Sequence, residues 1–490
     1  MASFHDCPRE LTDFILEQVS TCDLAALSLT SKKLHAVATP LLYSQIQFSI
    51  NRNNPRPLIH LCRSIFKNPE LAIYIKSVRL RDGEPEIQKL FREPYHHQQR
   101  TPKASSPQPT DKDGLPTFVS SIAGSGLSYA SLWIEKLRAG NLNAYVALLL
   151  SRLPSLETFR VGYAVVLADL TGLKDDAKPP ETAGENQFLG KIFQSAAFDT
   201  SNHGISRFQH LQDVFYPGPL EANPGRNPDF SNPRDVMALL SLPSIRSFSG
   251  WCLNPSSFPF TWPGPAGPPN LSHLTSLSMS FVHVDFLAQI IEQTTNLKKL
   301  SWEWKYIAEV DPLNTDTIDL DRFVEAIKPC QDTLEDLTID CINTIAWYDF
   351  ERREINLRGN LHGLDQFANI KRFKAPFTLL LPDWDEIEPK ESTRLEDSMP
   401  PNVEIVTITD EDWVPDYPYD SDSEMAKLRS WVTETAVTRT PKLVEICYYL
   451  TWASDFERLK KFEDFHQVFE GSPLRHRIVR TRDEEPWKNV

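Results

Sequence analysis

Leu297-Lys298-Lys299-Leu300-Ser301-Trp302 runs aliphatic, polar, polar, apolar, polar, apolar. Its last three positions alternate as a short strand with one buried face must, because successive strand side chains point to opposite sides. The same unit recurs as Ile75-Val78-Leu80, Leu156-Phe159-Val161, Leu211-Val214-Tyr216, Leu274-Leu277-Met279, Leu334-Leu337-Ile339, Val403-Val406-Ile408 and Leu443-Ile446-Tyr448. Weaker copies start at Ile245 and Ile370. From Leu211 onward the spacing between anchors varies from 23 residues (274 to 297) to 40 (403 to 443).

Ahead of most copies lies a stretch with helical periodicity: residues 57–66, 144–153, 188–193, 236–242, 284–291, 320–327 and 425–432. Helix then short strand, repeated, is the build of a solenoid in which each unit buries its apolar face only against its neighbours. The alternative is an ordinary α/β domain. Its parallel strands would read as near-continuous apolar runs, whereas Arg79, Arg160, Ser278, Ser301, Thr338 and Thr407 interrupt these. The 38 prolines cluster between repeats. Residues 84–116, rich in Pro, Gln, Ser and Lys, have the composition of a disordered insert. Residues 177–185, 217–233 and 255–269 read as long surface loops.

The first forty-six residues have a different grammar. Leu11, Phe14, Ile15 and Val19 fall at helical spacing after Pro8, which suits a first helical turn because its missing N–H has no intrahelical partner there. Asp23 suits the N-cap of a second helix and Ser31 that of a third, and Pro40 predicts a break before Leu41-Leu42-Tyr43. Three such helices bury too little to stand alone; they read as a docking module.

This pattern resembles the F-box, in the form common in fungal proteins. The matching residues are Pro8-x-Glu10-Leu11, Ile15-Leu16, Asp23-Leu24, residues 27–34 (Leu-Ser-Leu-Thr-Ser-Lys-Lys-Leu) and residues 38–43 (Ala-Thr-Pro-Leu-Leu-Tyr). Cys7 and Val19 stand where the family usually has Leu, smaller but still apolar. The resemblance implies that Pro8, Leu11, Ile15, Leu16, Leu24 and Leu27 face a Skp-type adaptor and, through it, a cullin. The body resembles the irregular leucine-rich repeats that commonly follow an F-box. It lacks the Asn or Cys expected three residues after the last apolar position, where Ala164, Val282, Lys305, Ile342, Glu411 and Thr451 stand. The expected organisation is therefore α/β: an F-box module over residues 1–50, a leucine-rich repeat solenoid over 55–470 and a tail over 471–490.

A net charge of -15 and a pI near 5.3 argue against a general nucleic-acid binder, whose footprint is basic. Seven dispersed cysteines without a C-x-x-C pair suggest reduced thiols. Asp6, Arg9, Glu10 and Asp13 occupy the place of a signal peptide's apolar run, and no run is long enough to cross a bilayer. The expectation is a soluble protein of the cytoplasm or nucleus. Gly124-Ser125-Gly126 lacks a third glycine and a preceding strand, so it makes a poor phosphate cradle. There is no G-x-S-x-G, H-E-x-x-H or Walker A motif, and His96-His97 lies in a Gln/Pro-rich tract, as a solvated pair would. Asn270-Leu271-Ser272 matches a glycosylation acceptor, which has no bearing in a chain read as lacking a signal peptide. Residues 410–424 hold seven carboxylates and no basic residue, with Trp413, Tyr417 and Tyr419 among them. They lack the central Gly of a calcium loop and read as a solvated loop or a contact for a basic partner.

The reading is a non-catalytic subunit without cofactor or metal that recruits a target protein for ubiquitination. Ser301, Glu303, Thr338, Asp340, Thr407 and Trp413 are the candidate target-binding residues. A scaffold acting without ubiquitin transfer is the alternative, and an α/β enzyme a more distant one.

Overall fold

The computed structural model describes residues 8–50, 55–82, 114–162, 165, 188–199, 201, 203–217, 233–252, 254, 259–264, 267–306, 317–343, 356–381, 394–409, 421–450 and 463–480. The expected insert up to residue 113, the His96-His97 pair, residues 177–185, most of 217–233, the start of the 255–269 loop and residues 410–420 with Trp413 lie outside them. The chain forms two compact units, Met1–Leu220 with Leu242–Ile245, and Glu221–Ser241 with Arg246–Val490. N-terminal helices are followed by parallel strands and helices in a repeating, solenoid-like order, as the alternation predicts.

The first unit opens with α1 (Arg9–Glu17), α2 (Thr21–Ser28) and α3 (Lys32–Ser44). Ser31 caps α3 as expected, accepting from the Leu34 N–H at 3.2 Å. The cap of α2 is Ser20, not Asp23. Its Oγ accepts from the N–H of Asp23, the third helical residue, and donates to the Asp23 carboxylate at 2.7 Å. Pro40 does not break α3, which continues to Ser44. Ala38, Leu41 and Leu42 all pack onto the core of the three helices, and such tertiary packing supplies most helical stability in a folded protein.

Gln45 is the extended C-cap of α3 and also the first residue of β1 (Gln45–Ile50), a strand lacking the leading aliphatic anchor. β1 pairs in parallel with β2 (Ser77–Asp82), β2 with β3 (Thr158–Val161) and β3 with β4 (Asp213–Tyr216). Their inward residues fall in register, Ile46 beside Val78, Val78 beside Phe159 and Phe159 beside Val214, all buried. Between β2 and β3 stand the helices Leu115–Ala123, Ala130–Arg138 and Leu142–Leu150, of which the periodicity discloses only the third. All nine residues of that third helix are buried, as an apolar sequence on every face requires. Trp133 Nε1 and Tyr145 OH donate to the backbone carbonyls of Ala144 and Leu137 at 3.0 and 3.2 Å, so these large rings are buried with their polar atoms satisfied.

The second unit carries β5 (Ser247–Trp251), β6 (Ser276–Ser280), β7 (Lys299–Tyr306), β9 (Asp336–Asn343), β11 (Arg372–Pro376), β12 (Ile405–Thr409), β13 (Glu445–Leu450) and β14 (Arg475–Arg480), parallel neighbours in that order. β8 (Thr317–Asp319) and β10 (Asn356–Arg358) form a separate parallel pair. The helices Val284–Ile291 and Leu320–Ile327 match the periodic stretches residue for residue. β14 falls inside the segment read as a tail.

The absent consensus Asn has a counterpart elsewhere. Asn296, Asn369 and Asn402 each stand one residue before a strand anchor. Each donates its side-chain N–H to a carbonyl of the preceding repeat, Ser272, Asp332 and Ala368, at 2.9, 2.7 and 2.9 Å. Thr333, one residue before Leu334, does the same to Leu297 at 2.8 Å. The neighbouring backbone continues the tie. The Lys298 carbonyl accepts both Glu335 and Asp336 N–H groups, and the Glu335 carbonyl both Lys371 and Arg372. Polar links therefore join successive repeats ahead of the strands.

Candidate docking surface and strand faces

α1 is two-faced. Thr12, Leu16 and Val19, at i, i+4 and i+7, turn inward. Thr12 Oγ1 is satisfied by the Pro8 carbonyl at 3.1 Å. Leu16, Leu24 and Ala38 form the core of the three helices, with Leu27, Val37, Leu41 and Leu42 packed against it. The opposite face of α1 presents Leu11, Phe14 and Ile15 at 54%, 63% and 44% exposure. Leu29, just beyond α2, is 86% exposed.

The six residues implied by the resemblance thus divide. Pro8, Leu11 and Ile15 are on the outside, where a partner can meet them. Leu16 and Leu24 are core residues and Leu27 packs against them, because the module needs an interior of its own before it can present a surface. Phe14, adjoining Leu11 and Ile15 at i+3 and i-1, belongs to the exposed set that the resemblance left out. A cluster of large apolar side chains on one helix face marks an interaction site.

Ser301, Glu303, Thr338, Asp340, Lys374 and Thr407, all outward, keep partial exposure while their inward neighbours are buried, whereas the outward Ser280, Thr409 and Cys447 are closed to solvent. Ser301, Thr338, Lys374 and Thr407 form one cross-strand row, and Glu303 lies directly beside Asp340. Five of the candidate target-binding residues are therefore on one face. Asp340 is not an open acidic contact there. Lys374 reaches it from β11, with Nζ 2.9 Å from Oδ1, and the same ammonium lies 5.1 Å from the centre of the Tyr449 ring. Other cations of this face are matched likewise: Arg372 to Asp336 at 2.9 Å and Arg477 to Glu445 at 2.6 Å. Hydrogen bonds from Lys371 and Lys298 hold the Glu335 carboxyl below its ordinary range.

The face of β1–β4 is different. Gln47, Arg79, Arg160 and Phe215 form its central row, with Arg81 two residues beyond Arg79 and opposite Ser49. Arg160 is held by Asp213, Nε at 3.1 Å and Nη2 at 2.9 Å from one carboxylate oxygen.

A cavity of about 520 Å³ in the second unit is lined by His283, Asp285, Trp302, Trp304, Asp319 and Arg322 among others. Arg322 Nε binds Asp285 at 2.8 Å, and Asp319 caps the helix Leu320–Ile327 through the Arg322 N–H at 2.8 Å. Its carboxylates are thus engaged within the fold. Among the described residues no group of three or more His, Cys, Asp or Glu is placed to hold a metal ion, and no helix is long and apolar enough to cross a membrane.

Residues 4–42 match the F-box domain. No curated protein matches the chain. The F-box gives the exposed face of α1 a chemical context, since domains of this kind bind Skp-type adaptors in ubiquitin ligase complexes.

Proposed function

We propose that the chain is the substrate-recognition subunit of a Skp–cullin–F-box ubiquitin ligase, with the outside of α1 on the adaptor and a strand face on the target. The observation that carries this reading is the exposed triplet Leu11, Phe14 and Ile15 on a matched F-box whose own core is already complete without them. Such a subunit needs no reacting groups. It raises the effective concentration of target lysines near the transferring enzyme.

Replacing Leu11 and Ile15 together by Asp places charges where an apolar contact would be desolvated, which an interface tolerates poorly. Co-purification of the double variant with a Skp-type adaptor should fall about a hundredfold or more, two such contacts at about 1.4 kcal/mol per tenfold. Both sites are exposed in the free module, so its helical content should persist. Undiminished adaptor retention overturns the assignment. Retention of the adaptor without cullin would favour the scaffold.

A further inference from the structure

The geometry points to an acidic peptide segment in extended conformation as the occupant of the β1–β4 strand face. This inference rests on the proposed recruiting role and names the chemical class of the target.

Arg79 and Arg160 are direct cross-strand partners, an arrangement that sets like charges side by side at an energetic cost. Asp213 answers only one of them, Arg160. Arg79 has no partner among the described residues. Arg81 points from the same face of the same strand, and its Nε is buried without a hydrogen-bond acceptor. A guanidinium donor removed from water and left unmatched loses hydration without a return. The second unit matches Arg372, Lys374 and Arg477 with carboxylates on adjoining strands, so unmatched arginines are not a general habit of this fold.

Spacing selects the ligand. Residues two apart on a strand stand about 7 Å from each other, which is also the separation of alternate side chains on an extended peptide. Carboxylates at alternate positions can therefore meet Arg79 and Arg81 in turn, at Arg81 through the outer Nη edge of the guanidinium because its Nε is closed to solvent. Gln47 and the half-buried ring of Phe215 flank the row with a polar and an apolar contact. In a chain of net charge -15 this positive strip is a local exception, and it would steer an acidic segment towards β2.

The test uses the full-length chain co-expressed with a Skp-type adaptor and a short fluorescent peptide with glutamate at alternate positions. Anisotropy should report binding that weakens with salt and falls about tenfold or more in the Arg79→Ala/Arg81→Ala variant. The Arg372→Ala variant should bind as the parent does, and a lysine-substituted peptide should not bind. Equal affinity in the double variant, or no binding of the glutamate peptide, overturns the inference. Binding only of a peptide carrying phosphoserine in place of glutamate overturns it in favour of a phosphoryl ligand. Adaptor retention is read on the same preparation. Its loss with peptide binding intact removes the recruiting role alone, and the converse removes the acidic ligand alone.

Discussion

The strand faces of β1–β4 and of β5–β14 share an inner design and differ on the outside. In both, the inward column is apolar, in register and closed to solvent: Val78, Phe159 and Val214 in one unit, Leu277, Leu300 and Leu337 in the other. Outside, the second face pairs Arg372, Lys374 and Arg477 with carboxylates from adjoining strands, while on the first Arg79 and the Arg81 Nε are unmatched among the described residues. Burial fixes the inner residues of every repeat. The outer ones that stay solvent-accessible are under no such constraint, so the difference between the two faces carries the information about ligands.

The strongest test of the shared part is truncation of the inner column. Phe159→Ala should destabilise by about 3–5 kcal/mol and Leu300→Ala or Leu337→Ala by about 2–5 kcal/mol, against under about 0.5 kcal/mol for Ser301→Ala or Thr338→Ala. Chemical denaturation of each variant measures this. Equal losses at inward and outward positions would mean that both faces are covered, and the solenoid-like reading would give way to a sheet buried on two sides.

A smaller effect separates the two outer faces. Lys374→Ala removes a partly buried pair with Asp340, whose side chains are 29% and 18% exposed, and should cost about 0.5–1 kcal/mol. Arg79→Ser, which removes an unmatched charge from beside Arg160, should be neutral or stabilising by a few tenths of a kcal/mol, about the scale of a like-charge cross-strand contact. A loss at Arg79 as large as that at Lys374 would erase the distinction.

The smallest expected effect lies at β14. His476 stacks on Phe469 with ring centres 4.5 Å apart, and its Nε2 lies 2.9 Å from His466 Nδ1. Burial, and then the neighbouring His466, lower its pKa below 6.5. The fold therefore favours neutral His476. The stability this contributes is present above the ordinary histidine pKa and is lost as pH falls through the lowered one. Melting temperatures followed downward from pH 6.5 should show a decline that His476→Phe reduces. An identical decline in that variant would place the sensitivity elsewhere.

The inner column was legible in the sequence because a period of two and a demand for apolar volume leave a mark at every copy. All ten units quoted from the sequence correspond to strands. β1 leaves a fainter mark: Gln45-Ile46-Gln47-Phe48-Ser49-Ile50 alternates, but no aliphatic anchor precedes it and Pro40 carries the local signature of a helix stop. β14 (Arg-His-Arg-Ile-Val-Arg) is a charged edge strand, the composition that keeps an edge from pairing further. The asparagine links ahead of the anchors leave no such mark, because a side chain reaching one carbonyl imposes no pattern on its neighbours. Within α1, Leu11, Ile15 and Leu16 are equally apolar. Only the packing of α2 and α3 decides that Leu16 goes inside. The match of Asp340 with Lys374 depends on strand register across a gap that local sequence does not encode.

The join between α3 and β1 has a mechanical consequence. Ser44 ends the helix, Gln45 begins the strand, and the Ser44 carbonyl accepts the Lys76 N–H at 3.0 Å at the foot of the β1–β2 ladder. No swivel residue separates the module from the first strand, and six consecutive pairings hold that strand to β2. On the proposed reading, a ligand seated on Arg79 and Arg81 is carried on a short lever whose fulcrum is the docking module. Its reach is a fixed arc, so the lysine selected for modification would be chosen by its distance along the target from the seated acidic segment.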